Sequence, residues 1–431
     1  MAHGAPRGLS AARRDRLDLP TRRRALRHGR PTLRGRVSGK HLLLVVTDER
    51  YFWGHRLALA RAARDAGWAV TVATAPAGLT ESIRAEGFRI EPIAWKRASL
   101  DPRALLAEVL ALRRIFRRAG PDVVHAVSMR AVLAASLAAL ATPDLPMVNA
   151  FTGLGYTFAA AESRRARLLA RLLAAIFRLT LRRERSVVLL ENEDDRNFVV
   201  RAFAVPPERT AVNPGSGVDM ARFAALPPPH NPRPVVACAA RMLAMKGIPE
   251  LVEARRILLA RGVEHDLVLA GGIDPSNPTA ISERRLRDWM KNDGVEWLGD
   301  LDDVRVLWKR ADIAVLASRG GEGVPLSLVE AAASGRPLVA TLVPGCRDIV
   351  EDGRNGLLVP PREPAALAAA LERLIRDGEL RISMGAASAC RARAAFSSEI
   401  VTERTLALYR ALTEGPPAGG RPDRRRTRPS G

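Results

Sequence analysis

The segment Ser318-Arg-Gly-Gly-Glu-Gly-Val-Pro-Leu-Ser-Leu-Val-Glu-Ala-Ala-Ala-Ser-Gly-Arg-Pro337 carries the pattern that decides the fold. It follows a short apolar run, Asp312–Ala317, which predicts a buried strand. The stretch Leu326–Ser334 is rich in helix formers, and Gly335 and Pro337 predict where that helix ends. The order of strand, glycine-rich loop and helix is typical of open α/β sheets, in which ligands bind beyond the carboxyl ends of the strands.

The same alternation of apolar runs and amphipathic segments continues along most of the chain. In the first half, strands are predicted at 41–47, 69–74, 88–93, 122–127, 147–150 and 186–190, and helices at 55–66, 102–119, 130–141 and 162–185. In the second half, strands are predicted at 235–239, 265–270, 312–316, 337–340 and 356–359, with a helix starting after Gly247. This alternation predicts parallel sheets covered by helices on both faces.

A proline-rich stretch divides this pattern in two. Residues 227–234 read Pro-Pro-Pro-His-Asn-Pro-Arg-Pro, which predicts a linker. The fold class is therefore α/β, with two doubly wound, Rossmann-like domains at 41–226 and 235–395 and a terminal helix at 396–413. A cleft between two such domains is a natural site for a small molecule.

Charge and composition restrict the partners. The formal net charge of the 431 residues is +22, which indicates a polyanionic partner: nucleic acid, an anionic membrane or a phosphorylated substrate. Much of the charge lies in the segments 1–40 and 414–431, which we predict to be disordered basic tails. No apolar run reaches the ~18 residues of a spanning helix, and the sequence predicts no secretory signal. Three widely spaced cysteines fit a reducing cytoplasm.

Cations and carboxylates follow the predicted strands of the second half. Arg241 and Lys246 lie between a strand and the start of a helix, where an anion would also meet the positive end of the helix dipole. Gly271 and Gly272 follow the next strand and let the backbone approach a ligand. Glu322 lies in the glycine-rich loop of residues 320–323.

A second carboxylate, Glu330, lies on the helix after that loop. Carboxylates accept hydrogen bonds from paired hydroxyls, and cations bind phosphates, so together they indicate a ligand with diols at both ends and a diphosphate between. A nucleotide sugar fits this description. The alternative is a solvated surface on which these charges bind nothing.

These residues and their surroundings resemble glycosyltransferase family 4, whose members are retaining enzymes of the GT-B fold, and most of all its members for capsule, O-antigen or exopolysaccharide biosynthesis. The matching segments are Val123–His125, Thr152–Gly155, Glu191–Asp195, Asn213–Asp219, Arg241–Gly247, Trp297–Gly299, Ala311–Asp312, Glu322–Ala331, Ser334–Thr341, Pro344–Val350 and Asp352–Pro360. The resemblance extends over about residues 41–412 and is most specific in the second half.

The resemblance implies roles for the candidate residues. Glu330 is expected to bind the ribose hydroxyls of the nucleotide. Arg241 and Lys246 are expected to neutralise the diphosphate as it leaves, where negative charge develops. Glu322 is expected to hold the hydroxyls of the transferred sugar, together with the backbone of Gly323, Val324 and Leu326.

The acceptor side is expected to come from the first domain. The resemblance implies that His125, at the end of a strand, faces the sugar, and that Gly153 and Gly155 lie beside the acceptor; a buried structural histidine is the alternative for His125. Pro325 stands where many members have glycine and removes one backbone donor beside the sugar, which leaves the donor's identity open.

No metal or other cofactor is expected. Asp300-Leu-Asp302 spells the acid-x-acid pattern of metal-dependent transferases, but it precedes a predicted helix, and Asp302 is better interpreted as its N-cap. No pattern of histidines and cysteines predicts zinc.

The main hypothesis is a retaining transferase that moves a sugar from a nucleotide diphosphate, with UDP expected, to a polyprenyl-diphosphate-linked glycan. A hexose or N-acetylhexosamine is the expected sugar. The alternatives are the same chemistry on a soluble acceptor, a non-catalytic basic nucleic-acid-binding protein, and a nucleotide-sugar epimerase, for which the second-half motifs are wrong. The main hypothesis includes no nucleic acid partner.

The predicted helix Glu162–Arg185 suggests where such an enzyme meets its lipid. Arg164, Arg171, Arg178 and Arg185 recur every seven residues, and an apolar face of Leu169, Leu172, Leu173, Ile176 and Phe177 lies opposite. A basic face beside an apolar face is typical of a helix in a membrane interface, while a helix packed on its own domain is the alternative. The expected location is the cytoplasm, peripherally attached to the inner face of the cell membrane.

Overall fold

Two parallel β-sheets organise the chain. A computed structural model describes residues 39–95, 101–154, 164–275 and 277–414, with the backbone alone for 164–166. The first sheet has seven strands in the order β3-β2-β1-β4-β5-β6-β7, and the second has six in the order β10-β9-β8-β11-β12-β13. All recorded strand pairs are parallel. The predicted α/β architecture with two such domains is confirmed.

The strands of the first sheet are β1 His41–Val45, β2 Ala69–Thr74, β3 Arg89–Pro92, β4 Val123–Val127, β5 Met147–Ala150, β6 Ser186–Leu190 and β7 Thr210–Val212. Those of the second are β8 Val235–Ala239, β9 Asp266–Ala270, β10 Val295–Trp297, β11 Ile313–Leu316, β12 Leu338–Thr341 and β13 Gly356–Val359. The edge strands β7 and β10 were not predicted, because three residues are too short to show an alternating pattern.

The first sheet is buried on both faces, as the alternation along β1 shows. Leu43 and Val45 pack into one apolar cluster with helices Pro102–Ala119 and Met129–Ala138. Leu42 and Leu44 pack into a second cluster on the other face. Because successive side chains of a strand point to opposite faces, helices cover this sheet on both sides.

The terminal helix Ser398–Glu414 returns to the first domain. Its Leu406, Leu408 and Tyr409 belong to the second apolar cluster, and it packs against the helix Leu57–Asp65. The remaining helices of the described chain are Glu49–His55, Thr80–Ala85, Arg164–Thr180, Glu193–Phe203, Ile248–Ala260, Glu283–Asp293, Arg305–Arg310, Leu326–Ala333, Cys346–Ile349, Pro364–Arg376 and Gly378–Ala395. The two predicted tails lie almost wholly outside the described residues, and the predicted domain limits stay predictions.

Three helix predictions need correction. The segment predicted as one helix at 55–66 forms two, because the Asp48 carboxylate accepts the Tyr51 N–H and starts a helix earlier, and the chain breaks at Arg56. The predicted N-cap Asp302 is wrong: the helix begins at Arg305, and the carboxylate of Asp303 accepts the Arg305 N–H.

The helix predicted at 162–185 ends at Thr180, and residues 162–163 lie outside the described chain. Part of the face predicted to lie in a membrane interface is instead packed on the protein. Phe177 and Thr180 are fully buried, and Leu173 and Ile176 pack against the domain core. This face therefore holds the helix on its own domain, whereas Leu172 is exposed on another side.

Candidate functional site

The carboxyl ends of β8, β9 and β11 meet at one edge of the second sheet. The segments that follow these strands carry the predicted cations, the two glycines and the glycine-rich loop. Gly247 has a φ of 72°, and a Cβ atom there would lie 1.8 Å from the Ala317 oxygen. Only glycine therefore lets the segment after β8 cross so close to the end of β11.

This crossing brings Lys246 and Glu322 together. The Lys246 Nζ donates to both Glu322 carboxylate oxygens at 2.7 Å, and the Ser318 hydroxyl donates to Oε1 at 2.6 Å. The Glu322 side chain is 9% exposed and that of Lys246 22%. The two residues predicted to bind the phosphate and the sugar thus form one partly buried ion pair, which places the two predicted functions side by side.

Arg241 lies apart from this pair. Its exposed guanidinium donates to the Asp274 carboxylate at 2.7 Å. The backbone before it is packed against the next loop, since a Cβ atom on Gly271 would lie 2.0 Å from the Ala240 oxygen, and one on Gly272 would lie 2.4 Å from the Asp300 carboxylate. Both predicted glycines therefore allow another group to approach the backbone closely. In this structure that group belongs to the protein itself: the Ala240 oxygen at Gly271 and the Asp300 carboxylate at Gly272.

Glu330 lies on the helix Leu326–Ala333, and its neighbours differ from those of Glu322. The surrounding protein removes water from the carboxyl and raises its pKa to about 8. Arg222 lowers this pKa, and the negative charge of Asp303 raises it further. The carboxyls of Glu322 and Glu330 thus have separate surroundings, which suits contacts with two different parts of one ligand.

The first domain contacts the glycine-rich loop directly. Gly153 has a φ of 98°, and a Cβ atom there would lie 2.9 Å from the Gly323 nitrogen. Glu191, which follows β6, accepts the Val324 N–H through Oε2 at 2.7 Å. Gly155 lies outside the described residues. The sequence indicates the motif Glu191–Asp195 only through the resemblance and does not predict this contact of Glu191 with the loop.

His125 does not lie where the sequence predicts. It is in the middle of β4 rather than at its end, it is 1% exposed, and its Nδ1 shares a hydrogen bond with the Tyr409 hydroxyl at 2.5 Å. Burial lowers its pKa well below the ordinary value of a histidine, so the ring is neutral. The predicted position at the strand end is wrong, and a role in the reaction stays a prediction.

No group of three or more histidine, cysteine, aspartate or glutamate side chains in the described part of the chain is arranged to hold a metal ion. Asp300 lies against Gly272, and the neighbouring Asp303 forms an ion pair with Arg305 at 2.5 Å. The expectation of a metal-free reaction stays a prediction.

Comparisons with known protein families match both halves of the chain. A model described as glycosyl transferase 4-like matches residues 41–189, and one described as glycosyl transferases group 1 matches residues 233–377. Together the two matches include both sheets apart from the edge strand β7 and the last residue of β6.

Curated relatives match as well. The chain is 24% identical over 366 residues to the N,N'-diacetylbacillosaminyl-diphospho-undecaprenol alpha-1,3-N-acetylgalactosaminyltransferase of Campylobacter jejuni, a match of 82% of this chain and 94% of the relative. It is 33% identical over 186 residues to the putative colanic acid biosynthesis glycosyltransferase WcaL of Salmonella typhimurium, a match of 41% of this chain and 45% of that protein.

Among solved structures, Anabaena Alr3699/HepE in complex with UDP superposes with a TM-score of 0.68 at 18% identity. The superposition includes 85% of this chain and 98% of that one. At this identity the likeness shows a shared fold.

Proposed function

We propose that this chain, which belongs to the glycosyltransferases of family 4, transfers a hexose or N-acetylhexosamine from a UDP-sugar to a lipid-diphosphate-linked glycan, with retention at the anomeric carbon. The reaction would serve surface polysaccharide biosynthesis. The observation that carries the proposal is the Lys246–Glu322 ion pair at the carboxyl ends of β8 and β11.

In the donor complex, the Lys246 ammonium is proposed to contact the diphosphate and Glu322 to accept hydroxyls of the sugar. Both groups are already within 2.7 Å of each other, so a donor whose phosphate and sugar are adjacent can contact both. Negative charge develops on the departing diphosphate in the transition state, and a preplaced cation stabilises this charge. Arg241 is proposed to add a second cation once its guanidinium leaves Asp274.

The nucleotide end of the donor is assigned to Glu330. Its carboxyl is separate from the Lys246–Glu322 pair, and the charge of Arg222 opposes the burial that raises its pKa to about 8, so the ionised form grows as pH rises. An ionised carboxylate accepts two hydroxyls well, as a ribose offers them. The UDP bound to the Anabaena protein of the same fold supports uracil as the base.

The Campylobacter jejuni relative supports the acceptor assignment, because the acceptor of that enzyme is a sugar linked to undecaprenol through a diphosphate. A soluble acceptor remains the second candidate. To separate them, labelled UDP-sugars are incubated with the protein in the presence and absence of a lipid extract. Label that enters the organic phase only with both protein and extract supports the lipid acceptor. Label on a water-soluble product without the extract supports the second candidate.

We further propose peripheral attachment to an anionic membrane. No helix within the described ranges is both long and apolar enough to cross a bilayer. On Arg164–Thr180, however, Leu168, Leu172 and Leu179 are 57–69% exposed, and Arg171 and Arg178 are exposed near them. Leucines at spacings of four and seven lie on one side of a helix.

Two other segments of the first domain also expose apolar side chains. Six of the ten exposed large apolar side chains of the described chain lie on three segments of the first domain: Leu106, Leu110, Leu140, Leu168, Leu172 and Leu179. Basic residues accompany them at Arg113, Arg114 and Arg117 on the helix Pro102–Ala119. Apolar side chains beside arginines suit the interface of an anionic bilayer, at which a lipid-linked acceptor is found.

A further inference from the structure

A carboxylate of the first domain contacts the backbone of the loop that is proposed to bind the sugar. The Glu191 Oε2 accepts the Val324 N–H at 2.7 Å, although the two residues are 133 positions apart. A Cβ atom on Gly323 would lie 2.0 Å from the same oxygen. Glycine at 323 therefore permits this contact, which links the two domains at the loop itself.

The charges around Glu191 come from four elements. Arg56, between the first two helices, favours the ionised carboxylate, while Asp195 on the following helix and Glu322 in the loop oppose it. Tyr51 is a partly buried neighbour from the first helix, and Lys246 compensates the charge of Glu322. Burial outweighs these contributions and raises the pKa of Glu191 to about 7.

A second contact between the domains has a different character. Arg347 and Asp194 form an ion pair, but their side chains are 42% and 41% exposed, so water screens the attraction. It involves neither the loop backbone nor the Lys246–Glu322 pair. Of these two links, only that of Glu191 joins a partly buried carboxyl oxygen to a backbone donor of the loop, and loss of such a bond leaves the donor without a partner away from water.

We propose that Glu191 is a positioning residue of the donor site, which holds the Val324 amide from across the cleft and so couples closure of the two domains to the shape of the sugar-binding loop. The inference rests on the proposed function, because that function assigns the loop to the sugar.

Closure of the cleft should then depend on pH. In an open cleft the Glu191 carboxyl would have the ordinary pKa of a glutamate, 4.5, whereas burial in the closed form raises it to about 7. The closed form therefore binds a proton more tightly, and closure is favoured at low pH and weakens as pH rises through about 7. An amide at position 191 removes this dependence and still offers an oxygen to the Val324 N–H.

The test compares Glu191→Ala, which removes the acceptor, with Glu191→Gln, which keeps it. With the UDP-sugar that the wild type uses, we expect Glu191→Ala to raise the donor KM about tenfold, because the Val324 N–H loses its hydrogen-bond partner in a partly buried position. The Kd of free UDP, measured by calorimetry, should stay within about threefold, because UDP does not carry the sugar that the loop binds.

Glu191→Gln should keep a donor KM within about threefold of wild type at pH 6. The ratio of the wild-type KM to that of Glu191→Gln should rise between pH 6 and pH 8, and this ratio cancels the titration of other site groups. The control Asp194→Ala breaks the exposed contact with Arg347 and should behave as wild type. Solution X-ray scattering should show a larger radius of gyration for Glu191→Ala than for the control.

The proposal would be overturned if Glu191→Ala had the same donor KM as the wild type. Equal losses in the two variants at every pH would also overturn it, since the charge rather than the loop contact would then be the cause. If the wild type neither binds UDP nor uses any UDP-sugar, the proposed function fails. The scattering comparison would still decide whether Glu191 holds the two domains together.

Discussion

Replacing Lys246 with alanine should impair both the stability of the second domain and the reaction. The variant leaves the Glu322 carboxylate, which is 9% exposed, with the Ser318 hydroxyl and no cation in contact. It also removes the ammonium proposed to meet the developing charge of the leaving diphosphate. We expect kcat to fall by more than about tenfold and UDP affinity to fall as well.

The size of the stability effect follows from the geometry. Two unit charges at the 2.7 Å that separates Lys246 Nζ from each Glu322 oxygen attract by about 6 kcal/mol at an effective dielectric constant of ~20. Desolvation of both groups opposes this attraction, and water reaches the 22% exposed lysine. A net coupling of about 2 kcal/mol is therefore expected, between the values of exposed and fully buried pairs.

A double-mutant cycle measures this coupling. The free energy of unfolding is compared for wild type, Lys246→Ala, Glu322→Ala and the double variant. The double variant should lose about 2 kcal/mol less than the sum of the two single variants. Lys309→Ala, which removes an exposed lysine of the same domain, is the matched control and should change neither stability nor kcat.

Two results would refute this reasoning. Additive losses in the cycle would show that Lys246 and Glu322 do not stabilise each other. An unchanged UDP affinity in Lys246→Ala, with the fold intact by circular dichroism, would exclude contact between this lysine and the diphosphate.

Four further predictions address the other parts of the proposal. Glu330→Ala should weaken binding of free UDP and of the UDP-sugar alike, whereas Glu322→Ala should weaken mainly the UDP-sugar; calorimetry with both ligands checks this, and the reverse pattern would exchange the two assignments. Because the pKa of Glu330 is raised to about 8, its ionised form grows as pH rises, so UDP affinity of the wild type should increase between pH 6.5 and 8.5 and that of Glu330→Gln should not. Turnover should be the same in a strong chelator as in buffer, and loss of activity that magnesium or manganese restores would contradict a metal-free reaction. The protein should pellet with anionic vesicles, less so in high salt, and a variant with Arg167, Arg171 and Arg178 changed to Glu should remain in the supernatant while keeping its fold; full pelleting of that variant would exclude this helix as the anchor.

The sequence predicted the sheets well because strand patterns are local. Runs of five or six apolar or β-branched residues, such as those at β2 and β8, identify strands that are buried on both faces. Helix ends were less predictable, since they depend on single hydrogen bonds. The carboxylate of Asp303, not that of Asp302, accepts the N–H near the start of the helix Arg305–Arg310, and no composition rule distinguishes these neighbouring residues.

Surroundings also decided which face of a helix is buried. Leu172 and Leu173 are adjacent and chemically identical, yet one is exposed and the other packs on the core. Amphipathic periodicity shows that a helix has an apolar face, but not whether a domain or a membrane covers it. The surroundings of His125 could not be predicted from nearby residues either, because its hydrogen-bond partner Tyr409 lies 284 residues further along the chain.

The sequence by itself therefore determined the fold class, the family and the residue types of the candidate site, because each is written in short segments with their own periodicity and spacing. Only the tertiary structure decided which of those residues meet. Lys246 contacts Glu322 across 76 positions because Gly247 lets two strand ends cross, and Glu191 contacts Val324 because the two domains meet at the glycine-rich loop. Such contacts depend on the packing of whole sheets, and packing at that distance has no local signature in the chain.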